Sequence, residues 1–262
     1  MVKKLFKNAY AFLIYFFLYA PIAVMIVLSF NASRSRTKWG GFTLDWYKAL
    51  VDDEAVFDAL SNTIWIAVFS ALISTVIAIM ASLVIYNIRG KTLKTIVMNI
   101  TTLPMMNPDI VTGVSLMILF IFFGISRGFV SMLLAHITFN VPYVVMSILP
   151  KLKQMDKNIY EAALDLGAKP HEAFFKIILP QIMPGVITGM ILAFTLSIDD
   201  FIISFFTTGA GVSNLSIYIY SMTKRGISPE LYALSTIMFF AVLTLLLVVN
   251  FRLSLVGKKE EK

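Results

Sequence analysis

Six apolar runs, Ala9 to Phe30, Asn62 to Tyr86, Thr95 to Phe123, Phe129 to Leu149, Ile182 to Thr207 and Leu231 to Phe251, take up more than half of the 262 residues. Each is long enough to cross a hydrocarbon core about 30 Å thick at a rise of about 1.5 Å per residue. In lipid the backbone must satisfy its own hydrogen bonds, so such runs fold as helices. Only 14% of the residues are charged, where a soluble domain has roughly a quarter. The mean hydropathy is +0.84, and a soluble fold would leave much of that apolar surface in water. The expectation is therefore an all-α polytopic membrane protein with six transmembrane helices. Lys3, Lys4 and Lys7 precede the first run, as in a signal peptide. The run is too long for an h-region and lacks a small-residue cleavage site, so it is expected to stay as a helix.

Charge sets the expected topology. Of the 22 basic residues, 15 fall in the segments that would share one side of the membrane: the N-terminus, Arg89 to Lys94, Lys151 to Lys176, and Arg252 to Lys262. The other side has Arg34, Arg36, Lys38, Lys48, Arg127, Lys224 and Arg225. The excess places both termini of a multi-pass membrane protein in the cytoplasm. The net charge of +7 is scattered singly between apolar runs, which fits membrane topology and no nucleic-acid partner. With no cysteine and two histidines, no disulfide, metal site or cofactor is expected. Gly90-Lys91-Thr92 looks like the end of a phosphate-binding loop, but the first glycine of that pattern would fall at Ile85. No nucleophile elbow occurs either, so no catalytic residue is assigned and the chain is not expected to be an enzyme.

Two loops are long. The external one, Asn31 to Ser61, carries Trp39, Trp46 and Tyr47, residues that settle at the interface, and Asp45, Asp52, Asp53, Glu54 and Asp58. The cytoplasmic one, Pro150 to Gln181, is the most polar part of the chain. There, Asp156 to Leu166 predicts a short helix ended by Gly167 in a left-handed cap. Pro170 fits the first turn of a second helix, with Glu172 near its start, Lys176 near its end and Pro180 just beyond it. Ala162, Ala163, Leu166, Phe174, Phe175 and Ile178 give this helix-turn-helix an apolar side suited to a partner's groove.

The same residues carry a family signature. Glu161-Ala162-Ala163, three residues, Gly167, nine residues, then Ile177-Ile178-Leu179-Pro180 resembles the EAA loop of the permease subunits of bacterial binding-protein-dependent ABC importers. Further stretches are similar to the polyamine (spermidine/putrescine) branch of that family. They are Ser29-Phe30-Asn31-Ala32-Ser33-Arg34, Gly41-Phe42-Thr43 with Trp46-Tyr47, Asn107-Pro108-Asp109-Ile110, His136-Ile137-Thr138-Phe139, Ser197-Ile198-Asp199-Asp200 and Ser228-Pro229-Glu230. The resemblance implies a type I ABC importer permease fold and an ATPase-coupling role for Glu161, Ala162, Ala163 and Gly167. It also implies a second homologous permease subunit, two cytoplasmic ATPase subunits that hydrolyse the ATP, and an external polyamine-binding protein.

Three acids lie inside apolar runs, where a carboxylate costs a few kcal/mol on insertion scales and is a functional candidate by default. Along straight helices Asp109 would stand about 21 Å from the cytoplasmic start of its run, and Asp199 and Asp200 about 26 Å. Negative charge at that depth suits a cation arriving from outside. Asp200 shares a helix face with Ser197, Ser204 and Thr207, whereas Asp199 is followed by Ile202 and Ile203. This favours Asp200 for a water-filled substrate path, with Asp199, Asp109, Ser204 and Phe201 as further path residues. The alternative is that the acids are protonated, or tie helices together through backbone and Ser/Thr groups. Pro104 and Pro108 interrupt backbone bonding before Asp109, which is tolerated beside a cavity or in packing. His136, with no acid within a turn of it, is expected to be a hydrogen-bonded packing residue.

The resulting division is a first helix with its external loop over 1–59, a five-helix permease core over 60–251 containing the coupling loop 150–181, and a cytoplasmic tail over 252–262. The function expected is a polyamine permease worked by alternating access, embedded in membrane lipid. The same machine for another small solute, and a secondary cation transporter with proton- or sodium-coupling acids, are the alternatives.

Overall fold

The computed structural model describes residues 2–35, 37–156, 158–226 and 228–260, with side chains described inside 10–244 and at 247. Arg36, Lys157 and Lys262 of the charge count lie outside the described residues. So do the side chains of Lys3, Lys4, Lys7, Arg252, Lys258 and Lys259. Apart from one antiparallel bridge between Asn31 and Phe42, the described residues form helices, turns and loops.

Helix α1 (Val2–Ser29) carries the first apolar run, α2 (Asp45–Val51) lies in the loop after it, and α3 (Glu54–Asn87) carries the second. The third run is divided between α4 (Lys91–Met106) and α5 (Asp109–Phe122), and the fourth forms α6 (Phe129–Gln154). The polar loop contains α7 (Ile159–Asp165), α8 (Pro170–Ala173) and a π-helical turn, Phe174–Ile178. The fifth run is divided between α9 (Leu179–Asp199) and α10 (Ile202–Thr207); α11 (Leu215–Arg225) follows, and α12 (Pro229–Glu260) carries the sixth. Among the described residues, four helical stretches are singly long and apolar enough to cross a membrane, and α4 with α5, bent by 106° at the break between them, is so only as a pair. The described apolar part of α12, Pro229–Thr244, is shorter.

The chain forms two compact units, Met1–Phe57 with Ile219–Lys262, and Asp58–Tyr218. In the first, α12 packs against α1 and α2. The loop from α1 to α2 is built round buried Asn31. Its Oδ1 accepts from the N–H groups of Ser33 (3.1 Å) and Gly40 (2.7 Å), while its backbone carbonyl accepts from Trp46 Nε1 at 2.8 Å. Phe30 stacks with Phe42 and Tyr47 beside it.

In the second unit, α3 turns a stripe of small residues inward. On α3, Ala67, Ser70, Ala71, Ser74, Ala78 and Ser82, spaced three and four apart, are buried, while Trp65, Phe69, Leu72, Val76, Met80 and Val84 are exposed. Lipid is as apolar as leucine, so burying large side chains brings little gain, and small ones let helices approach. Ser70, Ser74 and Thr75 return their hydroxyl hydrogens to carbonyls of their own helix. The core joins α3, α6 and α9 through Ala71, Val144, Ile148, Ile182 and Ala193. Gly185 and Gly189 bring α9 close to α6: an added Cβ would stand 2.7 Å from Ser147 O and 2.8 Å from Val144 Cγ1 respectively. A second cluster joins α5, α6 and α10 through Leu116, Phe120, Ala135, Phe139 and Ile203.

Two of the runs expected to be straight are broken. Pro108 disfavours helical geometry at Asn107, whose ψ is 143°, and α4 ends one residue earlier. Between α9 and α10 no proline or glycine intervenes; Asp200 is extended at ψ 125°, and its own carboxylate binds the free N–H groups of the next helix. Depths measured along unbroken helices therefore do not hold for Asp109 or Asp200.

Candidate functional site

The two breaks meet. A cavity of about 450 Å³ is lined by Asp109, Phe139, Leu196, Asp199, Asp200, Phe201 and Ile202. Asp109 opens α5, Asp199 closes α9, and Asp200 and Phe201 form the link to α10. Gly113 allows the approach of α5 to α10: a Cβ there would lie 3.4 Å from Ile202 O and 3.0 Å from the Phe206 ring. All three acids singled out in the sequence are thus gathered on one cavity. Among the described residues no set of three His, Cys, Asp or Glu side chains is placed to hold a metal.

The two neighbouring acids face opposite ways from the sequence expectation. Asp199 and Asp109 are exposed, whereas the Asp200 side chain is only 9% exposed. Its carboxylate accepts hydrogen bonds from the N–H of Ile203 (3.2 Å) and from the N–H and Oγ–H of Ser204 (both 2.8 Å). The helix-face count failed because the helix stops at Asp199, so residues 197 and 204 are not on one continuous face. Ser204 is fully buried, and Phe201 pairs with Phe205 at a ring distance of 5.4 Å while lining the cavity.

Sequence reasoning missed the partners of this acid. His136 of α6, 1% exposed, places Nε2 2.9 Å from Ser204 Oγ and 3.5 Å from Asp200 Oδ2. Asn214 donates to Ser204 Oγ at 2.8 Å and to the Asp200 carbonyl at 3.3 Å. One turn along α6 from His136, Asn140 donates to Ser197 Oγ (2.8 Å) and Ser70 Oγ (3.3 Å). The signal available was the i, i+4 pair His136 and Asn140 in an apolar helix, where polar side chains cross-link helices.

The polar loop folds as a helix-turn-helix. The first helix is shorter than expected, beginning at Ile159 after Asp156 Oδ1 has accepted the Asn158 N–H. Gly167 has φ +87°; its N–H bonds to Leu164 O (2.9 Å) and that of Ala168 to Ala163 O (3.1 Å), a Schellman cap. Ala163 and Ala173 are buried where the helices touch, while Glu161 and Ala162 are exposed, with Leu166 90% and Phe175 61% exposed. Glu172 accepts the Lys169 N–H and pairs with Lys176 at 3.2 Å. Glu161 also borders a cavity of about 300 Å³ with Tyr86, Asp156, Tyr160 and Phe174. Pro180 does not end the second helix as expected. The π turn, closed by the Leu179 N–H on Phe174 O, leads into α9 with Pro180 as its second residue, and the widened turn accommodates the proline. Helix therefore runs without interruption from Pro170 to Asp199.

Residues 74–261 match the family described as binding-protein-dependent transport system inner membrane component. The chain belongs to that family. The spermidine/putrescine transport system permease protein PotC of Escherichia coli (strain K12) is 42% identical over 249 residues, covering 95% of this chain and 93% of that protein. The putrescine transport system permease protein PotI of the same organism is 37% identical over 235 residues, 86% of this chain and 83% of that one. The structure of a bacterial ABC transporter that imports the acidic polysaccharide alginate superposes with a TM-score of 0.70 at 18% identity, covering 94% of this chain and 92% of that one. This permease thus has the importer permease fold and is a multi-pass inner-membrane protein. Both the acid-lined cavity and the helix-turn-helix fall within the matched segment.

Proposed function

We propose that this permease carries polyamines inward as part of an ATP-driven importer, with Asp109 and Asp199 offering carboxylates to the passing ammonium groups. The observation that carries the reading is the cavity where two helix breaks gather Asp109, Asp199 and Asp200 beside Phe139 and Phe201. Carboxylates offset positive charge, and aromatic faces attract it. Permeases named for spermidine and putrescine, at 42% and 37% identity, support the choice of substrate.

The single helical stretch Pro170 to Asp199 supports transport by alternating access. At its one end the helix-turn-helix with Glu161, Ala162, Ala163 and Gly167 docks on an ATPase; at its other end stands the acid cavity. Closure of two ATPase subunits on ATP displaces the docked element, and the shift is passed along the stretch to the break. ATP hydrolysis belongs to those partners, capture to an external polyamine-binding protein, and the other half of the path to a second homologous permease. Residues 60–251 form the permease core, and both termini lie in the cytoplasm.

Purification through a tag on this chain should yield the ATPase and second permease, and the reconstituted complex with its binding protein should take up labelled spermidine when ATP is supplied. ATP-driven uptake of an amino acid with no polyamine uptake would overturn the substrate. Single cysteines at Ser33 and Lys153 should label only from outside and only from inside; the reverse pattern would overturn the orientation.

A further inference from the structure

Ser204 Oγ stands at hydrogen-bond distance from three side chains, Asp200 Oδ2 (2.8 Å), Asn214 Nδ2 (2.8 Å) and His136 Nε2 (2.9 Å). A hydroxyl has one hydrogen and two lone pairs. Its hydrogen goes to the carboxylate and one lone pair takes the Asn214 amide. The remaining lone pair faces His136 Nε2, so that nitrogen carries a hydrogen. We infer that His136 is held as the Nε2–H tautomer and is a positioning residue for the path. Its N–H fixes Ser204, Ser204 fixes the Asp200 carboxylate, and that carboxylate fixes the break that turns Asp199 onto the cavity. The inference rests on the proposed function only for what passes the cavity.

The tautomer has a second consequence. Nδ1 becomes an acceptor, and it is buried without a partner among the described residues, as is Asn140 Oδ1. The two residues sit one turn apart on one face of α6.

In nitrogen-15 spectra of the complex labelled at histidine, the signals lost in His136→Gln belong to His136, and those lost in His171→Gln to the other histidine of this chain. A bare Nδ1 and a protonated Nε2 are expected; a protonated Nδ1 would overturn the latch. In uptake of labelled spermidine at matched levels of assembled complex, His136→Gln, which keeps an N–H donor, should stay within about threefold of the parent, and His136→Leu should fall about tenfold. Equal uptake by the leucine variant and the parent, or a glutamine variant as poor as leucine, would also overturn it. A parent complex that shows the bare Nδ1 but moves no polyamine would leave the latch standing and sink the substrate reading.

Discussion

Asp199 and Asp200 are adjacent in the chain and opposite in surroundings. Asp200 accepts three hydrogen bonds from the first turn of α10, whereas Asp199 is exposed on the cavity. Hydrogen bonds to a charged group contribute about 1.5–3 kcal/mol each, so Asp200→Asn should destabilise the permease by roughly that amount, seen as a lower thermal midpoint of the purified complex. An unchanged midpoint would mean that the carboxylate does not hold the break. The sequence made all three acids visible, because ionisable groups are rare in apolar runs. It did not reveal which faces inward, since counting 3.6 residues per turn assumes a helix that continues. His136 looked isolated because its acid comes from another helix, and pairing across helices leaves no local spacing to read.

Breaks differ in how openly they are encoded. The one at Asn107-Pro108 follows from a proline that constrains its neighbour, whereas the one at Asp200 comes from a side chain competing for backbone N–H groups. Pro180 misled in the other direction, since a π turn absorbs it and α9 goes on. The cap at Gly167 was legible because a left-handed residue between two short helical patterns favours glycine, and φ is +87°. Forcing a Cβ into that conformation costs roughly 1–2 kcal/mol, more for a branched one. Gly167→Val should therefore insert normally yet lose transport and release the ATPase on purification. Normal uptake with the ATPase still bound would separate the loop from coupling.

At the scale of the molecule, the stretch Pro170 to Asp199 is 30 residues, about 45 Å of helix at 1.5 Å per residue. It links the second helix of the helix-turn-helix to Asp199 on the acid cavity, so one chain segment joins the proposed docking element to the carboxylate proposed to meet the substrate. The all-helical membrane fold was legible from six apolar runs. The inward stripe of small residues on α3 was not, since their burial depends on which helices approach. The central claim is that Asp199 faces the passing cation. Its most direct test is ATP-driven uptake of labelled spermidine by Asp199→Asn and Asp199→Glu at matched levels of assembled complex. Loss of one ammonium–carboxylate attraction in a partly hydrated cavity should lower uptake by the asparagine variant about tenfold. The glutamate variant should recover most of it, and substrate affinity of the isolated binding protein should not change. Full uptake by Asp199→Asn would contradict the claim.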